Sequence, residues 1–203
     1  MNGPIVHYWK YWVEITAGIR HSPVPVPVNL LPDLRFDEID TWVKVELDSA
    51  HAGILSSPGF LLRFQTNRGR ASQFFSKFLC TPFQSPQAEL PVADVMAQTQ
   101  PDLQKRDGCK YCHAVLEPAA AHWGRWAQQG AGYLSEEDFP ASKVECILCA
   151  QTGSTCSNDC RFFYTVSPNT IEEEAFIGQL HAFSFLRDEH HINVSQGPKL
   201  LAL

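Results

Sequence analysis

Cys109-Lys110-Tyr111-Cys112-His113 sets two thiols three positions apart and puts an imidazole directly after the second. On an opening helix, thiols at that spacing can add to the two vinyl groups of one haem, and the next residue can offer its ring to the iron. The run therefore reads as the attachment site of one covalent haem c. Cys109 and Cys112 would form the thioethers and His113 would be the proximal ligand. Two other chemistries use the same residue types: a dithiol redox pair, and two zinc ligands followed by a chance histidine. A dithiol site normally opens a helix that follows a strand, and nothing upstream of Cys109 reads as that strand.

A haem iron often takes a second axial ligand from a methionine well downstream of the attachment motif. Here the only methionines are Met1 and Met96, both upstream. Downstream stand His122, His181, His190 and His191. His122 continues the motif helix away from the iron, which leaves His181, His190 and His191 as distal candidates. Met96 folding back and an open distal position are the other options. Histidine ligation predicts a lower potential than methionine ligation. Trp123 and Trp126 suit either the core or the wall of a haem edge, and Arg125 could pair with a propionate, because guanidinium matches carboxylate geometry.

A second group, Cys146, Cys149, Cys156 and Cys160, brings four thiols into a short Gly- and Ser-rich stretch. In a reducing compartment this would be a zinc site. Haem c is assembled outside the cytoplasm, where thiols pair, so the expectation is two disulfides. Three pairings are open to four cysteines, and spacing does not choose among them. Cys80, at the end of an apolar stretch, is expected to be a buried free thiol.

The motif also sits in a recognisable order of segments. His51-Ala52-Gly53-Ile54-Leu55-Ser56-Ser57-Pro58 comes first. Phe78-Leu79-Cys80-Thr81-Pro82-Phe83-Gln84-Ser85-Pro86 follows, then Cys109 to His113 with Ala114-Val115-Leu116-Glu117-Pro118. In order and distance this resembles a bacterial family of exported cytochrome-like proteins, largely domains of unknown function. Their members carry a His/Arg-Gly-Leu/Ile-Leu-Thr-x-Pro segment, a Leu-Cys-x-Pro-x-x-Pro segment and a C-x-x-C-H-x-x-x-Asp-Pro motif. The likeness covers about residues 1–130, with Glu117 in place of the usual Asp and Ala120 where Gly is common. It implies covalent haem and export, and it supplies no substrate.

The positioning elements read as follows. Val6, Trp9, Val13 and Ala17 share a helical face, with Gly18 as a stop. Residues 22–32, with four prolines, cannot be helical and read as a polyproline-II strap. Trp42–Leu47 reads as extended, and a helical segment is expected from about Ser49. Arg70–Cys80 reads as a helix striped by Phe74, Phe75, Phe78 and Leu79, followed by a Pro-rich loop over 81–91 and a helix over Val92–Gln104. Val144–Leu148 and Arg161–Val166 read as the strands of a hairpin around the cysteine-rich turn. Thr170 and Glu173 form a capping box for a helix to about Asp188, carrying Phe176, Leu180 and Phe183 on one face and His181 within it.

The expected fold class is mainly α: a cytochrome c-like haem domain with short strands and a C-terminal cysteine-rich β-hairpin plus helix. Three parts are expected: an N-terminal helical or extended segment over 1–68, the haem domain over 69–139, and the hairpin and helix over 140–203. Sixteen Lys and Arg against 22 Asp and Glu give a charge of −6, which argues against a general nucleic-acid binder. No apolar run approaches a membrane span. There is no phosphate loop, H-E-x-x-H or G-x-S-x-G. The expected function is electron transfer in an exported redox system, periplasmic or extracellular, with a redox protein or other subunits of a complex as partner. The alternatives are a peroxidase- or oxidase-like haem enzyme with an open distal site, and a metal- or disulfide-stapled interaction module. The first ten residues lack the basic and leucine-rich regions of a signal peptide, so the chain is expected to be a mature or excised part of a longer protein.

Overall fold

The structure, a computed structural model, describes residues 1–11, 28–47, 51–81, 103–154, 156–166, 178–183 and 197–201. It is mostly helical. In chain order the elements are α1 (Gly3–Lys10), 3₁₀ turns at Val28–Leu30 and Gly53–Ser56, α2 (Pro58–Arg63), α3 (Asn67–Lys77), α4 (Lys110–Ala121), α5 (Val144–Thr152), α6 (Asn158–Phe163), β1 (Tyr164–Thr165), β2 (Gln179–Leu180) and α7 (Gly197–Leu201).

The N-terminal helix forms as its face predicts. Asn2 caps α1 by accepting from the Ile5 amide at 3.4 Å, and Val6 and Trp9 are buried against Leu31 and Leu34. Val13, Ala17 and Gly18 lie outside the described residues, as do residues 22–27 of the expected strap, whose end is the Val28–Leu30 turn. Trp42–Leu47 has no regular structure, tied down by the Val43 amide on the Met1 carbonyl at 2.8 Å.

The central core lies between α2, α3 and α4. Leu55, Phe60, Leu61, Ala71, Phe74, Ala120, Trp123, Trp126 and Ala131 pack together there. The α3 helix starts earlier than expected, because Thr66 caps it by accepting from the Gly69 amide at 3.0 Å. It ends at Lys77, so Phe78 and Leu79 stand about half exposed rather than continuing the buried stripe. Cys80 is exposed, with φ +52, which corrects the expectation of a buried thiol. Residues 82–102, with the expected loop, most of the expected Val92–Gln104 helix, and Met96, lie outside the described residues.

One residue holds this core from within. Arg70 is fully buried and its guanidinium is spent on carbonyls. Nε donates to Phe64 O, Nη1 to Asn67 Oδ1 and Trp126 O, and Nη2 to Leu61 O, Ala127 O and Gly130 O. A carbonyl with no amide in reach needs such a donor, since an unmade buried hydrogen bond is costly.

The C-terminal region differs from the expected hairpin. The Cys146–Cys149 stretch is α5, not a strand: Cys146, Cys149 and Ala150 are buried while Val144 and Leu148 face out, a helical period rather than an alternation. The second cysteine pair belongs to the start of α6, where Ser157 caps by accepting from the Cys160 amide at 3.3 Å. Two disulfides, Cys146–Cys160 and Cys149–Cys156, join the helices in a nested pairing. The sulfurs are therefore spent on one another rather than on zinc. Only Tyr164–Thr165 of the expected second strand is extended, and it pairs antiparallel with Gln179–Leu180.

That pairing also overturns the expected helix through His181. Gly178 (φ +67) and Ala182 (φ +70) bracket β2 with left-handed backbone that no α-helix contains. Leu180 donates to Ala141 O and His181 to Phe163 O, so the segment is held between the 141–143 stretch and the end of α6. Thr170, Glu173 and Phe176 lie outside the described residues. Ala127, Leu134, Phe139, Phe163, Tyr164, Leu180, Phe183 and three of the disulfide cysteines close the second core.

Candidate functional site

The Cys109–His113 run opens α4. Gly108 adopts φ +78, a conformation only glycine takes freely, and turns the chain into the helix. The Cys109 carbonyl then accepts from the Cys112 amide at 3.1 Å and the His113 amide at 3.0 Å. Beside this entry Lys110 Nζ meets Asp107 Oδ1 at 2.7 Å, and that carboxylate holds the ammonium pKa above its ordinary value. Cys109 and Cys112 are free thiols of intermediate exposure. By helical spacing Cys112 shares a flank with Val115 and Leu116, and Tyr111 and Val115 are about half exposed.

His113 does not stand alone. Its Nδ1 is hydrogen-bonded to Glu117 Oε1, one turn on along the same helix face. Glu117 is fully buried, and Arg68 of α3 donates from Nε to the same Oε1 at 2.6 Å. The other carboxylate oxygen, Oε2, is buried without a hydrogen-bond partner. A ring nitrogen bonded to a carboxylate carries the proton, so the tautomer is fixed with Nε2 as the lone-pair nitrogen. Two thiols one turn apart, followed by an imidazole with a free Nε2, form a donor set that fits covalent haem.

Beside Glu117 is a cavity of about 240 Å³. Arg68, Thr66 and Gln128 line one part of it, and Thr165, His181 and Ala182 line another. His181 faces Thr165 Oγ1 from Nδ1 at 3.4 Å, and burial with the Arg68 charge lowers its pKa to about 4, so the ring is neutral at pH 7. His181 thus shares a cavity with Glu117, the partner of His113 Nδ1. His190, His191 and Met96 lie outside the described residues. Among the described residues, the only three-ligand grouping of His, Cys, Asp or Glu is Glu145, Cys146 and Cys160, whose sulfurs are already paired.

The flanking candidates are built into the core. Trp123 is fully buried and donates from Nε1 to Leu55 O at 2.9 Å. Trp126 packs edge-on to His51 and Tyr133. Arg125 is buried, donates from Nη1 to Phe139 O at 2.6 Å and Leu134 O at 3.3 Å, and lies over the Phe183 ring. Its guanidinium clamps the 134–139 stretch, and its pKa is lowered by burial. His122 ends α4 with Nδ1 at 2.9 Å from Gly197 O, which ties α7 to the helix end.

Sequence reasoning missed Arg68, Glu117 and Arg70 as working residues. For Glu117 a signal existed, since it follows His113 by four and helical spacing puts the two on one face. The arginines come from a helix distant in sequence, and no spacing pointed to them. The chain matches no protein-family model, no curated protein and no solved structure in these comparisons.

Proposed function

We propose that the protein is a c-type haem protein, with one haem bound covalently through Cys109 and Cys112, His113 as proximal ligand, and electron transfer as its work. The observation that carries this reading is the contrast in thiol state. The four cysteines of α5 and α6 are paired, while the two in the haem-motif spacing are left unpaired beside an imidazole whose Nδ1 is committed to Glu117. When bound, the haem supplies a one-electron couple. The chain fixes the proximal ring and offers apolar surface at Val115 and Tyr111. Disulfides, a mostly helical fold and the absence, among the described residues, of any helix long and apolar enough to cross a membrane accord with an exported protein. Likeness of the segments from His51 to Pro118 to the exported cytochrome-like family supports the same location and cofactor.

A second reading, a haem enzyme with an open distal position, is favoured by one observation. His181 lines a cavity with Glu117, the partner of His113 Nδ1, and faces Thr165 Oγ1 from its own Nδ1 at 3.4 Å. The deciding experiment is a visible spectrum of protein exported in cells that carry haem-maturation machinery. Electron transfer predicts a low-spin haem that ignores carbon monoxide after reduction. Carbon-monoxide binding would point to the enzyme. A missing Soret band, with Cys109 and Cys112 still alkylatable, would sink both.

A further inference from the structure

We propose that Glu117 and Arg68 set the potential of the haem from behind its proximal ligand. Glu117 pulls on the His113 Nδ1–H and favours ferric iron, and Arg68 restrains that pull. This inference rests on the haem reading above and deepens it. Its basis is the arrangement of three side chains from α3 and α4. The Glu117 carboxylate is fully buried, so water does not weaken its hydrogen bonds. Both His113 Nδ1 and Arg68 Nε converge on the single oxygen Oε1, so the two donors compete for the same charge. A carboxylate that accepts from the far nitrogen of a metal-bound imidazole raises the basicity of the near one. A more basic axial nitrogen stabilises the higher oxidation state, so the couple moves to lower potential. Glu117 is accordingly a positioning residue acting through His113, not a ligand.

The two residues then carry opposite signs. Replacing Glu117 by Gln keeps an oxygen acceptor of the same shape but removes the charge, which weakens the pull and raises the potential. Replacing Arg68 by Gln frees more of the carboxylate for His113 and lowers it. A packing role alone would not produce opposite shifts. A remote field effect of the lost charge would, so a third variant serves as control. Asp107→Asn removes a carboxylate close to the motif that is paired with Lys110 instead of His113.

The test is a redox titration of the holoprotein, preceded by a pyridine haemochrome assay for thioether-linked haem. For Glu117→Gln we expect the ferric-over-ferrous preference to fall at least tenfold, which is 59 mV for a one-electron couple. For Asp107→Asn we expect less than a third of that change, and for Arg68→Gln a change of opposite sign. In the reduced low-spin protein, the His113 Nδ1–H proton resonance should also move upfield and exchange faster in Glu117→Gln. A haem-bearing wild type whose Glu117→Gln shift is no larger than the Asp107→Asn shift, or whose Nδ1–H resonance is unmoved, would overturn this inference alone. A wild type without thioether haem would overturn the haem reading and this inference with it. If Glu117→Gln holoprotein does not fold, Arg68→Gln decides, because the Arg68 side chain is 42% exposed and its loss is tolerable: the His113 Nδ1–H resonance should move downfield as the carboxylate is freed, and an unmoved resonance would overturn the inference.

Discussion

Two C-x-x-C pairs stand on helices in this chain, and they meet different fates. Cys146 and Cys149 lie inside α5, where α6 offers Cys160 and the preceding turn offers Cys156, and both close into disulfides. Cys109 and Cys112 open α4, whose neighbour α3 offers Arg68 and Phe74 but no thiol, and they stay reduced. Identical spacing is thus read out by the adjacent element. The regions around the two pairs are also stabilised differently. The α5–α6 region is small and covalently stapled, as small cores often are. The α2–α4 region relies on aromatic packing and on one arginine that bridges carbonyls, which leaves its cysteines free for other chemistry.

Breaking the non-covalent region should have the largest effect. Arg70→Met removes the donor that holds the Phe64, Leu61, Trp126, Ala127 and Gly130 carbonyls. A loss of about 3–5 kcal/mol is expected, as for breaking a buried charged network. Urea unfolding would read it, and a loss under about 1 kcal/mol would mean that the carbonyls find other donors.

The seam between the regions comes next. His181 lies where β2 meets Arg68 and Glu117 around the cavity. Its pKa is pushed down to about 4 from 6.5 by burial. Above pH 6.5 the ring is neutral in the folded and unfolded chain alike. As pH falls from 6.5 to 4 the unfolded chain takes up a proton that the folded one resists, so stability drops across that window by about 2–3 kcal/mol. In the haem-free protein His181→Gln should lose this part of the pH dependence. Identical melting-temperature profiles for variant and wild type between pH 4 and 7 would contradict it.

The smallest effect, and the most direct on the cysteine pairs, comes from equal substitutions in each. Removing the inner bridge with Cys149→Ser and Cys156→Ser should cost about 2 kcal/mol, the loop-closure value for 7 residues of separation. The Cys109→Ser and Cys112→Ser double variant should leave the haem-free chain within about 0.5 kcal/mol of wild type, since neither thiol closes a loop. Equal losses from the two doubles, measured by thermal melting, would show that Cys109 and Cys112 also form a bridge.

Part of this was legible beforehand. The mostly helical character, the exposed-and-buried face of α1 and the presence of disulfides follow from periodicity and cysteine grouping. The hairpin did not survive because a run as short as Val144–Leu148 fits a strand and a helix equally well. Exposure of Val144 and Leu148 decides it, and exposure is set by α6 and β2, not by the run itself. The helix through His181 failed for a related reason. Leu180 and Phe183 have helical spacing, but Gly178 and the left-handed Ala182 let them reach the core from a strand and a turn. At the candidate site the thiols and His113 were readable from spacing. The carboxylate clamp was half readable, through the interval from His113 to Glu117, and Arg68 and Arg70 were not, because both come from a helix distant in sequence and neither the half-exposed Arg68 nor the buried Arg70 leaves a periodic trace.

The nesting of the two bridges also bears on the order in which the chain matures. Their sequence separations of 7 and 14 are short, and short loops close fast and with little entropy lost. An oxidant meeting the nascent chain therefore finds the inner pair first and the outer pair next, each drawing the other's helix into place. Locality alone does not sort the seven thiols, since Cys109 and Cys112 lie closer in sequence than either bridged pair and yet are unpaired; what distinguishes the four is that α5 and α6 bring their sulfurs together.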